Sequence, residues 1–457
     1  MIAACSSVTG TGKDTQTDTP DQQDTTPPSD TADQQDTTPP TDTPDEQDTT
    51  QPPDPLAGHR ACIQEMGADR VFDLLPNEPD TQIHPAAVFD GDAFWMIWNI
   101  PAGDGTGAFS VRAARMACNG TLLVEPFNVD TIARGNAIDP DITVSADAVL
   151  ASWQVDTGES PTNLRLVTRA WKRDSAPGDD SPPVILKPIS DGIEFDGNAW
   201  MPHATAHPDG GFMLVGVWAS EQMQRFQVFV QHLDSSGALL GEPFSPHPEE
   251  LVSQVYPSIA TSSDGSFLLT WTRSPDVDDD SVVLTIIDPT GPVPAAAEPI
   301  DLMPDTLSGY SWISALSAVD STPFVAFHAG STDMDVHVRP ATTASDQPIM
   351  QIGTPTALDL MPVVASAGNG GAVLWFRQRA GFKNDVRVQR FALDGNEFRT
   401  IGDEQFLNPP TTEDPRDAPH LYAPALIHVM DHRYLAIWSE GQNPRFRLKA
   451  AVLDLSD

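Results

Sequence analysis

From His84 onward the chain repeats one arrangement of apolar and polar positions. A proline opens a short apolar run, a polar turn often built on Asp-Gly follows, and a second apolar run ends in tryptophan. The copies read HPAAVFDGDAFWMIW, DPDITVSADAVLASW, MPHATAHPDGGFMLVGVW, YPSIATSSDGSFLLTW, WISALSAVDSTPFVAF, MPVVASAGNGGAVLW and APALIHVMDHRYLAIW. The openers are Pro85, Pro140, Pro202, Pro257, Trp312, Pro362 and Pro424, spaced 50–62 residues apart. The closers are Trp98, Trp153, Trp218, Trp271, Phe327, Trp375 and Trp438. Each copy continues through a polar loop into a third apolar run (VRAARMAC, FQVFVQHL, SVVLTII), then a turn and a fourth (LLVEPFNV, GEPFSP). Alternating apolar residues in short runs bounded by Gly, Pro, Asp and Asn are strands. No segment sustains a helical period.

Four strands per repeat at this length make a propeller blade. Seven copies predict an all-β, seven-bladed β-propeller. The seventh copy stops at RLKAAVLDLSD, after its third strand, while ADRVFDLLPNEPDTQIHP, ahead of the first copy, has the look of a fourth strand. Residues 70–75 are therefore expected to complete blade seven, closing the ring and covering its last sheet edge.

Ahead of the repeats the pattern vanishes. Residues 6–58 are dominated by Asp, Thr, Gln and Pro, with QQDTTPP at 22–28 and again at 34–40, and EQDTTQP at 46–52. Nothing here could offset the entropy of ordering, so this segment reads as a disordered, extended Asp/Thr/Pro-rich linker. Three zones result: residues 1–5, the linker 6–58, and the propeller 59–457.

Charge narrows the functional classes. The formal net charge is −40, with 65 acidic against 25 basic residues. That excludes binding to nucleic acid through a basic face. The scarcity of lysine fits either a GC-rich genome or a surface adapted to salt. No apolar run is long enough to span a bilayer, and three cysteines are too few for a disulfide scaffold or a four-thiolate metal site.

The stretch Ile2, Ala3, Ala4, Cys5 matches a lipobox, an aliphatic residue and two small ones before cysteine. Together with the spacer and the repeats, the chain resembles secreted bacterial lipoproteins carrying a seven-bladed propeller, over about 400 residues. No family of defined activity is recognised. The resemblance implies lipidation at Cys5, attachment to the bacterial outer membrane or cell surface through that anchor, and a propeller acting as a binding or scaffold module. Its ligand would be a protein, peptide or glycan. Once Cys5 is lipidated, Cys62 and Cys118 remain as a pair in an oxidising compartment. They fall on one face of adjacent blades and are expected to form a disulfide.

Chemistry-bearing motifs are sparse. GxSxG, HExxH and CxxC are absent, no residue is assigned a catalytic role, and no cofactor is required. The His pairs of HATAH (His203, His207) and HVMDH (His428, His432) lie in strand–turn segments, where four-residue spacing does not bring two imidazoles together. The Asp-Gly turns do not fit the Asp-box spacing of sialidase-type propellers and read as tight turns. Asp276, Asp278 and Asp280 crowd one loop of blade four with the oxygen density calcium needs, although the glycine and distal glutamate of an EF-hand loop are missing and a solvated acidic loop is the preferred reading. Blade six carries Arg377, Arg379, Lys383 and Arg387, suited to neighbouring carboxylates or to an anionic ligand.

A ligand rim is expected where the loops enter each first strand, near His84, Asp139, Trp200, His203, Tyr256, Trp312 and Tyr422. The linker should enter from the other face. The closers should pack between sheets rather than face a ligand. The alternative function is a secreted polysaccharide-active propeller enzyme, a glycosidase or lyase, which would need carboxylates converging on the channel mouth.

Overall fold

A computed structural model gives the fold. It describes residues 54–456 apart from short stretches, chiefly 103–107, 132–135, 157–163, 191–192, 195–197, 220–224, 275–279, 304–306, 318–321, 331–333, 354–356, 380–382, 410–417 and 420–423. The compact unit begins at Pro53. Cys5 and the linker lie outside the described residues, as do Asp276, Asp278 and Tyr422.

The described chain is an all-β, seven-bladed propeller. Seven antiparallel sheets follow one another along the sequence, with one extra two-stranded ribbon, Ile189–Ser190 with Ile193–Glu194. Blade one runs outward through Ile83–Phe89, Ala93–Pro101, Phe109–Ala117 and Leu122–Asn128. The innermost strands of the following blades are Asn136–Val144, Asn198–Ala206, Ser253–Thr261, Tyr310–Ser317, Leu358–Ala367 and Ala425–Met430. Two blades interrupt a strand. In blade four the outermost strand is split into Ala295–Ala296 and Ile300–Asp301, both against Ser281–Asp288. In blade seven Ala418–Pro419 and Ala425–Met430 both pair with Arg433–Gln442.

The core explains why the second strands are apolar on both faces over most of their length. Buried side chains form seven clusters, and each lies between two neighbouring blades. Along Ala93–Pro101, Trp95 and Ile97 face blade two, whereas Phe94, Met96 and Trp98 face blade seven. Both faces of a blade's middle strands are thus core, and alternation disappears there. All seven closers are buried, none more than 4% exposed, so they pack between sheets.

Ring closure uses the N-terminal strand. Arg70–Asp73 pairs antiparallel with Arg445–Asp454, in the register Arg70 to Val452 and Asp73 to Lys449. The strand is shorter than the expected 70–75, because Leu74 and Leu75 turn into the blade one–blade seven core. Leu74 N–H still donates to Leu448 O at 2.9 Å.

One element departs from the all-strand expectation, which had put a linker up to residue 58 and strands beyond. Ala57–Met66 is a helix. Its Cys62 and Met66 are buried in the same core, His59 packs edge-on against Phe89, and Cys62 is joined to Cys118 in a disulfide with Cα atoms 5.1 Å apart. The helix therefore sits at the hairpin end of the innermost strands of blades one and seven.

Candidate functional site

The opposite end of those strands carries a repeated distortion. At this end six of the seven innermost strands hold one extra residue relative to the strand they pair with, while in blade seven the described shift lies at the hairpin end, between His428 and Met430. The shifts fall between Ile83 and Ala86, Ile138 and Asp141, Trp200 and His203, Val255 and Ser258, Trp312 and Ser314, and Leu360 and Val363. These are β-bulges. In five of them the residue before the opening proline has a left-handed backbone: His84, Asp139, Met201, Tyr256 and Met361, with φ between 51° and 54°. A proline at a bulge forfeits no ladder hydrogen bond. A non-glycine residue with positive φ costs on the order of 1–2 kcal/mol, so five of them at one level need support from their surroundings.

Neighbouring blades supply that support, always in one direction. Met201 N–H donates to Gln154 Oε1 of blade two at 3.2 Å, and Met361 N–H to His328 Nδ1 of blade five at 3.2 Å. One step further along the strands, Ala204 N–H donates to Asp141 Oδ2 (2.8 Å), Ile259 N–H to His203 Nδ1 (3.1 Å) and Leu316 N–H to Ser258 Oγ (3.2 Å). Side chains of blades two to five thus accept amides from the bulged strand of the next blade.

Three of the left-handed residues are ones the sequence marks as rim residues. His84 Nδ1 lies 2.8 Å from Asp139 Oδ1, joining blades one and two. Gln154 Nε2 donates to Asp139 Oδ2 at 2.6 Å. The Asp139 side chain nevertheless remains 42% exposed. Tyr256, in blade four, has its phenol pushed up by burial and by the carboxylates of Asp280 and Asp139. It stays protonated at neutral pH.

Trp200 and His203 flank the third left-handed residue. The Trp200 ring meets Phe226 edge-on at 5.0 Å between centroids. The His203 ring is committed to the Ile259 amide, so it serves the inter-blade lattice. Trp312 lies in the innermost strand of blade five, but its side chain is outside the described residues.

The remaining sequence candidates resolve differently. Arg377 forms ion pairs with Asp359 (2.8 Å) and Glu404 (2.7 Å), and Arg387 with Asp385 (2.6 Å) and Glu404 (3.1 Å). The flanking carboxylates hold the Arg377 guanidinium strongly protonated despite its burial. These two arginines therefore serve the blade; the side chains of Arg379 and Lys383 are not described. Of the three aspartates suited to calcium only Asp280 is described, and it is buried. Among the described residues no group of three His, Cys, Asp or Glu side chains gathers as a metal site. No described helix is long and apolar enough to cross a membrane.

Residue-by-residue reading missed a second repeated device. Gln82, Asn136, Asn198 and Gln254, near the start of four innermost strands, each accept an amide from the third strand of the preceding blade. The donors are Leu448 (3.0 Å), Phe109 (2.8 Å), Leu164 (2.8 Å) and Val228 (2.9 Å). A carboxamide three or four residues before the opening proline was the available signal.

No family model matches this chain, and neither does any curated protein. Solved structures align with it at TM-scores below 0.5. A protein of unknown function from Dyadobacter fermentans aligns over 70% of this chain and 95% of its own, at 11% identity and a TM-score of 0.48. The β-propeller domain of the Trilobed protease from Pyrococcus furiosus aligns over 83% and 96%, at 10% identity and 0.45. The Hadza microbial sialidase Hz136 aligns over 77% and 75%, at 10% identity and 0.44. The seven sheets of its own make the chain a seven-bladed propeller by architecture, and these alignments say nothing of a binding site.

Proposed function

We propose that the chain is a bacterial surface lipoprotein, anchored through a lipid on Cys5, whose propeller is a binding or scaffold module. The observation that carries the binding role is Asp139. His84 and Gln154 fix its carboxylate, yet it remains accessible, and Gln154 ties it to the bulged strand that carries Trp200. A fixed polar group beside apolar surface is the usual makeup of a ligand site. Two measurements test the two halves of the reading. Labelled palmitate should enter the full-length precursor and be lost in Cys5→Ser; equal labelling of both removes the anchor. Glycan and peptide arrays should give hits that weaken in Trp200→Ala and Tyr256→Ala. Wild-type binding unchanged in both variants would move the site elsewhere.

A second reading draws on Asp139 and Asp280, whose charges both raise the Tyr256 phenol. That grouping would suit a secreted polysaccharide-active enzyme, a glycosidase or lyase. Burial and both carboxylates hold the phenol protonated, which suits a hydrogen-bond donor better than a nucleophile. Release of reducing or unsaturated ends from a polysaccharide panel by wild type, absent in Asp139→Asn, would favour the enzyme.

A further inference from the structure

The Cys62–Cys118 disulfide makes a covalent loop of the chain between its two ends. The closing strand Arg70–Asp73 lies inside that loop, together with the buried Leu74 and Leu75 and the carboxamide of Gln82. Cys62 stands eight residues ahead of Arg70. Its partner lies in blade one, in the turn between Phe109–Ala117 and Leu122–Asn128, and not in blade seven, which the closing strand completes. A bond serving only to clasp the last blade would reach Arg445–Asp454 or the strand beside it. Both cysteines are buried, so the link is a permanent one, shielded from reductants in solution.

Tension entering through residues 1–53 runs along the backbone and meets Cys62 before it meets the closing strand. Where two residues are joined covalently, tension crosses the bond and the chain between them stays slack. Without the bond the same pull would travel through the helix to Gly67, Asp69 and Arg70. That stretch is held by the buried Met66, by Arg433 Nη1 donating to Gly67 O at 3.2 Å, by Asp454 N–H donating to Asp69 Oδ1 at 2.7 Å, and by a ladder of four residues. Arg70, the first of the four, faces Val452 near the C-terminal end of its partner strand. A pull away from the sheet would open this ladder pair by pair from that end. Blade one offers a firmer hold. The strand that leads to Cys118 is paired along nine positions with Ala93–Pro101, and on its other side with Leu122–Asn128.

Building on the lipid anchor proposed above, we infer that the Cys62–Cys118 disulfide is a mechanical staple: it hands tension from the anchored linker to blade one, so that the strand sealing the ring carries none. Resistance to pulling is governed by the unfolding rate of the part under load, and the staple moves the load from a four-residue ladder to the middle of a sheet. The stretch ahead of Cys62 can yield without harm. Asp54 accepts the amides of Leu56 (3.0 Å) and Ala57 (3.1 Å) and pairs with Arg60, and none of these contacts touches the closing strand.

The test stretches the full chain in optical tweezers, between handles on its N-terminus and on Asp457, without reductant. Wild type should hold its closing segment until the main rupture. The Cys62→Ser, Cys118→Ser double variant should rupture first at a lower force, freeing residues 54 to about 80, or about 90 Å of chain. A second protein keeps the disulfide and carries the first handle in place of the exposed Glu65 side chain, inside the covalent loop. It guards against a folding defect in the double variant, and it should also rupture early, freeing about 50 Å. If the protein handled at Glu65 first ruptures at the wild-type force, the closing strand is not the weak point and the inference fails, whatever the double variant does. An early release of about 90 Å from wild type whose disulfide is intact by peptide mapping overturns it as well. Either failure leaves the anchor standing, because palmitate labelling decides that separately.

Discussion

Gln82 and Leu448 stand 366 residues apart and share a hydrogen bond: the Gln82 side-chain oxygen accepts the Leu448 amide at 3.0 Å. The Nε2 of the same carboxamide donates to Leu75 O at 3.3 Å, and Gln82 N–H donates to Phe446 O at 2.8 Å. One buried side chain therefore links the closing segment, the first blade and the last strand. Gln82→Leu keeps the size and removes both side-chain bonds, leaving the Leu448 amide buried without its acceptor. A loss of about 1–3 kcal/mol is expected in chemical denaturation. An unchanged midpoint would mean that this bond contributes nothing to closure.

Closure itself is tested by truncation. Removing residues 1–52 leaves the compact unit whole and should not change its melting. Extending the cut to residue 80 removes the helix Ala57–Met66, the strand Arg70–Asp73, and the buried Leu74 and Leu75. It also exposes the edge of Arg445–Asp454. The whole domain should then melt at a lower temperature and aggregate more readily. Identical melting curves for the two truncations would show that blade seven does not need its fourth strand.

The Cys62–Cys118 disulfide spans a sequence separation of 56 residues. For a loop of that length the chain-entropy account gives about 4 kcal/mol, and native disulfides contribute typically about 2–4. The Cys62→Ser, Cys118→Ser double variant should lose stability of that order, measured against wild type without reductant. With reductant the two should converge. Peptide mapping that finds both thiols free in protein from an oxidising compartment would overturn the pairing.

Two histidines of blade five predict sensitivity to acid. His328 and His337 are buried, and burial lowers each to about 4. His328 is lowered further by His337. In the unfolded chain both titrate near 6.5. The native state therefore binds fewer protons between pH 6.5 and 4, and stability falls as pH falls through that window. The loss is on the order of 3 kcal/mol for each fully buried histidine. His337 stacks on Phe327 with ring centroids 5.6 Å apart, so His337→Phe keeps the packing and should flatten the fall. A parallel pH profile for the variant would remove His337 as the cause.

The sequence carried the architecture because openers and closers do separate physical jobs. Proline tolerates the bulge, and tryptophan fills the space between sheets. The left-handed positions were less visible, because their residues differ in kind (His84, Asp139, Met201, Tyr256, Met361) and the residue before proline ordinarily prefers extended backbone. The carboxamide series was obscured by its wavering distance from the proline: three residues for Gln82 and Gln254, four for Asn136 and Asn198. In the helix, Cys62 and Met66 are the only buried residues, too few to set up a period. The rim residues were found in part. His84, Asp139 and Tyr256 belong to the bulged level, whereas His203 spends its ring on the Ile259 amide of the next blade, an approach that no local pattern encodes.

The pairing of Arg70–Asp73 with Arg445–Asp454 also sets a schedule. During synthesis at about 5–20 residues per second, the first of these segments emerges roughly 20–80 s before its partner exists. Throughout that wait six blades can form while Val71, Leu74 and Leu75 have no sheet to join. The earliest-made strand is the last to be placed, so the whole chain must be present before its final edge is sealed, and a product cut short anywhere in the last blade stays recognisably unfinished to proteases.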